Sequence, residues 1–244
     1  MFTEGKFNEY CFELFLKWFE HFKEGEYEQC DEIADTHISF CKEGIIQEKW
    51  PSEEQNNVAY VAGVLFKGLK EYIELAVKTR DSAWQKNQGA TSIWNLMWNC
   101  FDRLKFCNKY IISDELNELV RVLNLLHQNF EDGFGKGIYF SPEIIYESAL
   151  CSICKQDSRS CMHINGRIYN GKRCVSIPKN PEARGVPIVP NPKDPRCRVW
   201  HWNTNKEEST MTAPILIPFQ IDDWLNDEIS DCQTHPIKNH VLTD

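Results

Sequence analysis

Cys151-x2-Cys154 places two thiols on one tight turn, and Cys161-x-His163 returns a third sulfur and an imidazole after six intervening residues. Thiolates and a neutral imidazole are the donors a tetrahedral Zn2+ takes, at about 2.3 Å to sulfur and about 2.0 Å to nitrogen. Four protein donors leave no corner for water, so the chemistry this set predicts is structural. Zinc would supply folding free energy to a segment with few large apolar residues. Cys174, beyond the next turn, is the rival for the fourth corner should His163 point outward. Cys197, Cys232, His235 and His240 offer a second set with much looser spacing. The plainer reading of all these residues is a group of buried thiols with a satisfied histidine.

Other constellations promise less. Gly-x4-Gly-Lys-Ser/Thr, His-Glu-x2-His and Gly-x-Ser-x-Gly patterns are absent. Gly133-x-Gly135-x-Gly137 follows a helical stretch and precedes a strand, the reverse of a dinucleotide-binding turn, so it reads as a connector. Zinc hydrolase chemistry would need an open coordination position, which a closed four-donor set denies. Arg121-x5-His127 resembles the Arg-x4-6-His pair of HEPN-type ribonucleases, which also occupy helical bundles. Here six helical steps turn the two side chains about 120° apart, and Val122 stands where that family has a polar residue.

These candidates have to be held by two unlike stretches of chain. From Phe7 to about Phe130 the periodicity is helical. Cys11, Phe15, Trp18, Phe19 and Phe22 share one stripe, and Glu26 to Glu43 reads as a weaker second helix. Ser52 with Gln55 opens a third that aligns Val58, Val61, Leu65, Leu69, Tyr72 and Ile73. Trp94, Met97, Trp98, Phe101 and Leu104 mark a fourth helix. Ser113 precedes a fifth carrying Leu116, Leu119, Val120, Leu123 and Leu126. Cys11, Cys30, Cys41, Cys100 and Cys107 are scattered through these helices and read as small buried apolar residues. The periodicity stops at Gly133. Gly137 to Phe140 reads as a strand, Asn170-Gly171 as the type I′ turn of a hairpin between Gly166–Tyr169 and Lys172–Ile177, and Cys197 to Trp202 as a further strand. Six prolines between Pro178 and Pro195 argue for extended wrapping chain rather than central strand. The fold class expected is α+β: a helical bundle over 1–132, a zinc-stabilised β-rich module over 133–205, and an acidic arm over 206–244.

The 244 residues are 42% apolar and 12% aromatic, ample for a packed core. Eleven cysteines, an odd number, and the lack of an uncharged apolar run long enough to span a bilayer point to a reducing, cytosolic setting. Charge is uneven. Residues 151–200 hold ten Lys and Arg against three Asp and Glu, a surplus of seven positive charges, so a chain of net −9 carries −16 elsewhere. Lys155, Arg159, Arg167, Lys172, Arg173, Arg184, Arg196 and Arg198, interleaved with Tyr169, Trp200 and Trp202, form a basic face. Such a face suits single-stranded nucleic acid, with Arg159, Arg167, Lys172 and Arg173 as the leading contacts. It suits docking on an acidic protein surface somewhat better.

The stretch Cys151-Ser-Ile-Cys154 through Cys161-Met-His163-Ile-Asn-Gly166-x2-Tyr169-x-Gly171-Lys172-x-Cys174 resembles a small zinc-knuckle motif of bacterial and phage-related proteins, most without an assigned activity. The resemblance spans about residues 137–200 and implies a prokaryotic or phage setting, with metal on Cys151, Cys154, Cys161 and His163. The bundle resembles no family. The function expected is that of a non-catalytic interaction subunit of a prokaryotic or phage-related assembly, such as an anti-phage system, with a protein partner. Nucleic-acid binding through the basic module and HEPN-like cleavage are the alternatives.

Overall fold

A computed structural model describes residues 4–80, 89–202, 211–212 and 220–225. Five helices form the first part: α1 (Glu4–Glu24), α2 (Tyr27–Ile46), α3 (Glu53–Thr79), α4 (Gly89–Cys107) and α5 (Asp114–Phe134). Their starts obey local chemistry. The Ser52 hydroxyl accepts from the Gln55 amide, and the Ser113 hydroxyl accepts from the Leu116 amide, which satisfies donors that the first turn leaves free. α3 is the central helix, packed by α1, α2 and α4, and it buries residues around its whole circumference, Tyr60, Val64, Phe66 and Leu69 among them. α1 buries Phe7, Cys11, Phe15 and Trp18 along the expected stripe. The five helical cysteines are all buried and free, and burial pushes the Cys11 thiol up to about 12, as an apolar role requires.

His37 of α2 is a buried polar exception. Its ring lies 4.5 Å from Phe66 and 5.7 Å from Phe40, centroid to centroid, and burial lowers its pKa to about 4. An unfolded His37 would titrate near 6.5, so on acidification the unfolded chain binds the proton first. Stability is therefore complete above about pH 6.5 and falls progressively towards pH 4, with about 2 kcal/mol lost between pH 7 and pH 5. Urea unfolding at the two pH values should show this loss in the parent chain and a smaller one in His37→Phe. An equal loss in both would place the acid sensitivity elsewhere.

After α5 the chain builds one interrupted two-stranded ribbon. Its outgoing side is β1 (Tyr139–Phe140), β2 (Glu143–Ile145) and β3 (Ser148–Cys151). Between its two sides lies a short hairpin of β4 (Ile168–Tyr169) and β5 (Lys172–Arg173). The return side is β6 (Ser176–Lys179), β7 (Glu182–Gly185) and β8 (Ile188–Val189). The pairs are antiparallel: Cys151 with Ser176, Ile145 with Glu182, Tyr139 with Val189. The proline-rich stretch is thus the return strand rather than a wrap. A two-stranded ribbon has two free edges, where proline's missing N–H costs nothing, and Pro178 sits opposite Ala149. The Asn170-Gly171 turn forms as expected, with φ of 47° and 71°, but its strands are only two residues long. Cys174 onward turns away to pair with β3. Residues 195–197 form a 3-10 turn, so the expected strand over 197–202 shrinks to β9 (His201–Trp202), which pairs with β10 (Met211–Thr212).

Part of the expected acidic arm is docked. Trp224 lies against α3 where Gly63 has no side chain. A Cβ there would fall 2.1 Å from the indole. Beneath it Arg103 of α4, fully buried, donates to Glu71 (2.9 Å), to the Ile221 carbonyl (2.5 Å) and to Asp223 (2.8 Å). Burial lifts the Glu71 carboxyl above its usual range, and Arg103 offsets part of that rise. Ile215 to Ile217, Asp227 and Glu228 lie outside the described residues.

Candidate metal centre

β3 ends in Cys151, and the next four residues turn sharply, with Lys155 at φ 61° and its amide bonded to the Cys151 carbonyl at 2.9 Å. The turn aims backbone N–H groups, that of Cys154 foremost and that of Ile153 after it, at the Cys151 sulfur. These donors hold the Cys151 thiol down at about 6, although burial works against them. A thiolate at neutral pH is the form a metal ion binds.

Cys161 enters from a tight turn in which its amide donates to the Asp157 carbonyl (3.1 Å), and His163 follows two residues later. The sulfurs of Cys151, Cys154 and Cys161 and a ring nitrogen of His163 lie within 4.8 Å of one another. A tetrahedral ion with bonds of about 2.3 Å spans ligand pairs of about 3.8 Å, so the cluster needs little contraction to close on one. His163 stands edge-on to Tyr169, with centroids 4.7 Å apart, and its Nδ1 is buried without a hydrogen bond. An imidazole nitrogen so placed fits a ligand role. The donor types and their spacing thus suit a metal ion.

A further thiol lies beside this cluster. Ser152 brackets Cys174 from both sides: its hydroxyl donates to the Arg173 carbonyl (3.2 Å) and accepts from the Val175 amide (2.9 Å). The Gly166 amide donates to the Cys174 carbonyl and the Cys174 amide to the Arg167 carbonyl, both at 2.7 Å. So fixed, the Cys174 sulfur lies 3.6 Å from that of Cys151. Burial, with Cys151 adding to it, pushes the Cys174 thiol up to about 11. His163 completes the four-donor set, and Cys174 stands beside one of its thiols.

The hairpin fastens this module to the bundle. The Gly171 amide donates to Asn57 Oδ1 at 2.9 Å, across the start of α3. Gly171 has φ 71° and would carry a Cβ only 3.2 Å from the Asn56 carbonyl, so the turn needs glycine twice over. Further along, Arg196 is buried and reaches Asn99, Asp102 and Asp194, each within 2.7–2.9 Å. Arg198, also buried, donates to the carbonyls of Phe134 (3.0 Å) and Gly135 (2.7 Å) at the end of α5. Its guanidinium lies 4.8 Å from the rings of both Trp94 and Trp200.

The supposed basic face is therefore dispersed. Arg196 and Arg198 are internal. Arg159 pairs with Asp157 at 2.7 Å, Arg173 lies 5.9 Å over Phe106, and Trp200 packs against Phe130 and Phe134. Arg167 lines a cleft against the helices, and Lys172 and Arg184 are exposed. The side chain of Trp202 lies outside the described residues. The Arg121–His127 pair is not assembled either. Arg121 is exposed and doubly bonded to Glu118, while His127 is tucked against Trp94 and Trp98, where burial lowers its pKa. Of the looser cysteine set, Cys197 is half-buried, and Cys232, His235 and His240 lie outside the described residues. His21, Glu24 and Glu26 also cluster, at the surface where α1 ends, with His21 bonded to Glu26.

Comparison of the chain with protein-family models, curated proteins and solved structures returns no match. Its class rests on its own geometry: an α+β chain in which a helical bundle carries a β-ribbon with a Cys/His cluster spaced to hold a metal ion. Among the described residues no helix is long and apolar enough to cross a membrane.

Proposed function

We propose that this chain is a non-catalytic interaction subunit whose β-module is shaped by one structural Zn2+. The observation that carries this reading is the convergence of four soft donors on one point, with a further thiol 3.6 Å from one of them. A four-coordinate ion held by four protein donors has no corner left for a substrate or a water, which favours a structural role over hydrolysis. Thiolate-rich sets favour zinc over hard cations. The module's arginines, spent on Asp102, Asn99 and the end of α5, make one rigid platform of two parts. A platform of that kind suits presentation of a surface to a protein partner. The motif resemblance is what favours a prokaryotic or phage-related setting for that assembly.

The neighbouring thiol makes a sharp test. Cys174→Ser leaves the four-donor set whole, so it should still bind one Co2+ with the ligand-field absorption of a tetrahedral site, whereas His163→Ala should weaken that binding. Complete loss in Cys174→Ser alone would put Cys174 in the place of His163 and refute the set. Nucleic-acid binding is the competing reading, and it makes the opposite forecast for charge reversal. On the platform reading, Arg167→Glu/Lys172→Glu leaves retention of a single-stranded oligonucleotide unchanged at every salt concentration. A salt-dependent affinity that the double variant abolishes would favour nucleic acid.

A further inference from the structure

We infer that the junction of bundle and module is a docking cleft for a basic, apolar peptide segment of a partner protein, and that the metal site holds one of its walls. The inference rests on the platform reading above and names the surface that platform presents.

A cleft of about 870 Å3 opens between α1, the first half of α3, the α4–α5 connection and the chain just before β4. Phe15, Val61 and Leu65 give it a buried apolar floor. Its rim holds apolar side chains that water should not favour: Ile112 is 97% exposed, with Tyr110 and Phe12 also exposed beside it. Exposed apolar residues that continue into an apolar hollow mark an interaction site rather than scattered surface chemistry. The polar lining is unbalanced. Among the described residues, Glu9, Glu53 and Glu54 border the cleft and form no ion pair, against a single lining cation, Arg167. Glu53 and Glu54 also favour the start of α3, yet their charge remains available to a ligand. In a hollow with low-dielectric walls such a surplus attracts positive charge. The complementary occupant has large apolar side chains for the floor and Lys or Arg for the rim, the pattern of an amphipathic segment laid in a groove.

Arg167 and Ile168 tie this cleft to the metal. They lie between His163 and Cys174, and the Arg167 carbonyl takes the Cys174 amide. Ile168 is buried against the helical core. Asn57, which also lines the cleft, is the residue that receives the Gly171 amide. Loss of the ion would free this wall, and binding would weaken with it.

The test uses fluorescence polarisation with the full metal-loaded chain and two labelled 14-residue helical peptides, one of Lys and Leu, the other of Glu and Leu in the same pattern. The Lys/Leu peptide should bind at least tenfold more tightly. Val61→Trp, which fills the floor, and Ile112→Asp, at a rim position too exposed to affect folding, should each weaken it at least tenfold. Glu53→Lys/Glu54→Lys should reverse the preference between the peptides, and chelation should weaken binding as much as Val61→Trp does. Equal binding of the two peptides, or binding indifferent to Val61→Trp and Ile112→Asp, overturns the cleft. Cleft variants that abolish binding while chelation leaves it intact overturn the metal linkage alone. Chelation that collapses the module while the cleft variants do nothing leaves the metal reading standing and removes the cleft. Sedimentation of the parent as a dimer that Ile112→Asp dissociates would assign the cleft to a second copy, against a partner peptide.

Discussion

Cys151→Ser should abolish stoichiometric metal and unfold the tip of the ribbon while the helices persist. Cys151 belongs to the four-donor set, and its thiolate is the one that backbone N–H groups prepare. Its loss leaves Cys154, Cys161 and His163, one donor short of a closed set. Metal in structural sites of small modules contributes on the order of 10 kcal/mol of apparent binding free energy. Little else in the tip could offset that loss. Between residues 151 and 176 only Cys151, Ile168 and Cys174 are buried apolar residues, and the β2, β6 and β7 strands are exposed throughout. The helical core is separate and needs no metal. Amide exchange should therefore rise by orders of magnitude across residues 148–179 and stay slow in α3 and α4. Far-ultraviolet circular dichroism should keep most of its helical signal. A variant that retains slow exchange in 148–179 without metal would show that packing alone shapes the tip.

Arg103 carries the second large effect. A fully buried guanidinium with Glu71 on one side and the docked Ile221–Asp223 backbone and carboxylate on the other is an ion network removed from water. Removing one member strands the other. Arg103→Met should cost about 3–5 kcal/mol, since among the described residues Glu71 keeps only Lys67, at 3.8 Å, as a cationic neighbour. The double variant Arg103→Met/Glu71→Leu should recover much of that loss, because no buried charge is then left alone. Urea unfolding measures both. Arg103→Met should also release residues 220–225, seen as faster amide exchange there. Gly63→Leu should release them by another route, the side chain occupying the place of Trp224. A single variant as stable as the parent would mean that the network contributes nothing net.

The helices were legible because their signals are local. Ser52 with Gln55 and Ser113 with Leu116 lie within one turn of each other, and an apolar stripe such as Cys11-Phe15-Trp18 reports its own buried face. Cys151-x2-Cys154 and Asn170-Gly171 are likewise complete within a few residues. What escaped depends on partners far away in sequence. Cys174 was visible as a rival ligand, but what sets it beside Cys151 is Ser152, twenty-two residues earlier, which holds the chain on both sides of it. The prolines after Pro178 suggested wrapping chain, since proline penalises a central strand, and a ribbon with two free edges removes the penalty. Arg196 and Arg198 looked like exposed binding charges. Asp102, Asn99 and the carbonyls ending α5 take them inside, and no local pattern carries that information. Trp224 over Gly63 is the same case: a glycine inside a strong helix hints at a close approach, but the approaching residue lies in a distant acidic stretch.

The central claim is that a single ion in a sulfur-rich cage holds the ribbon tip in shape, and elemental analysis of the full chain, purified without chelator, tests it most directly. The account predicts one zinc per chain, lost together with slow amide exchange in residues 148–179 when a strong chelator is added. A chain that contains no metal and yet protects those amides would contradict it.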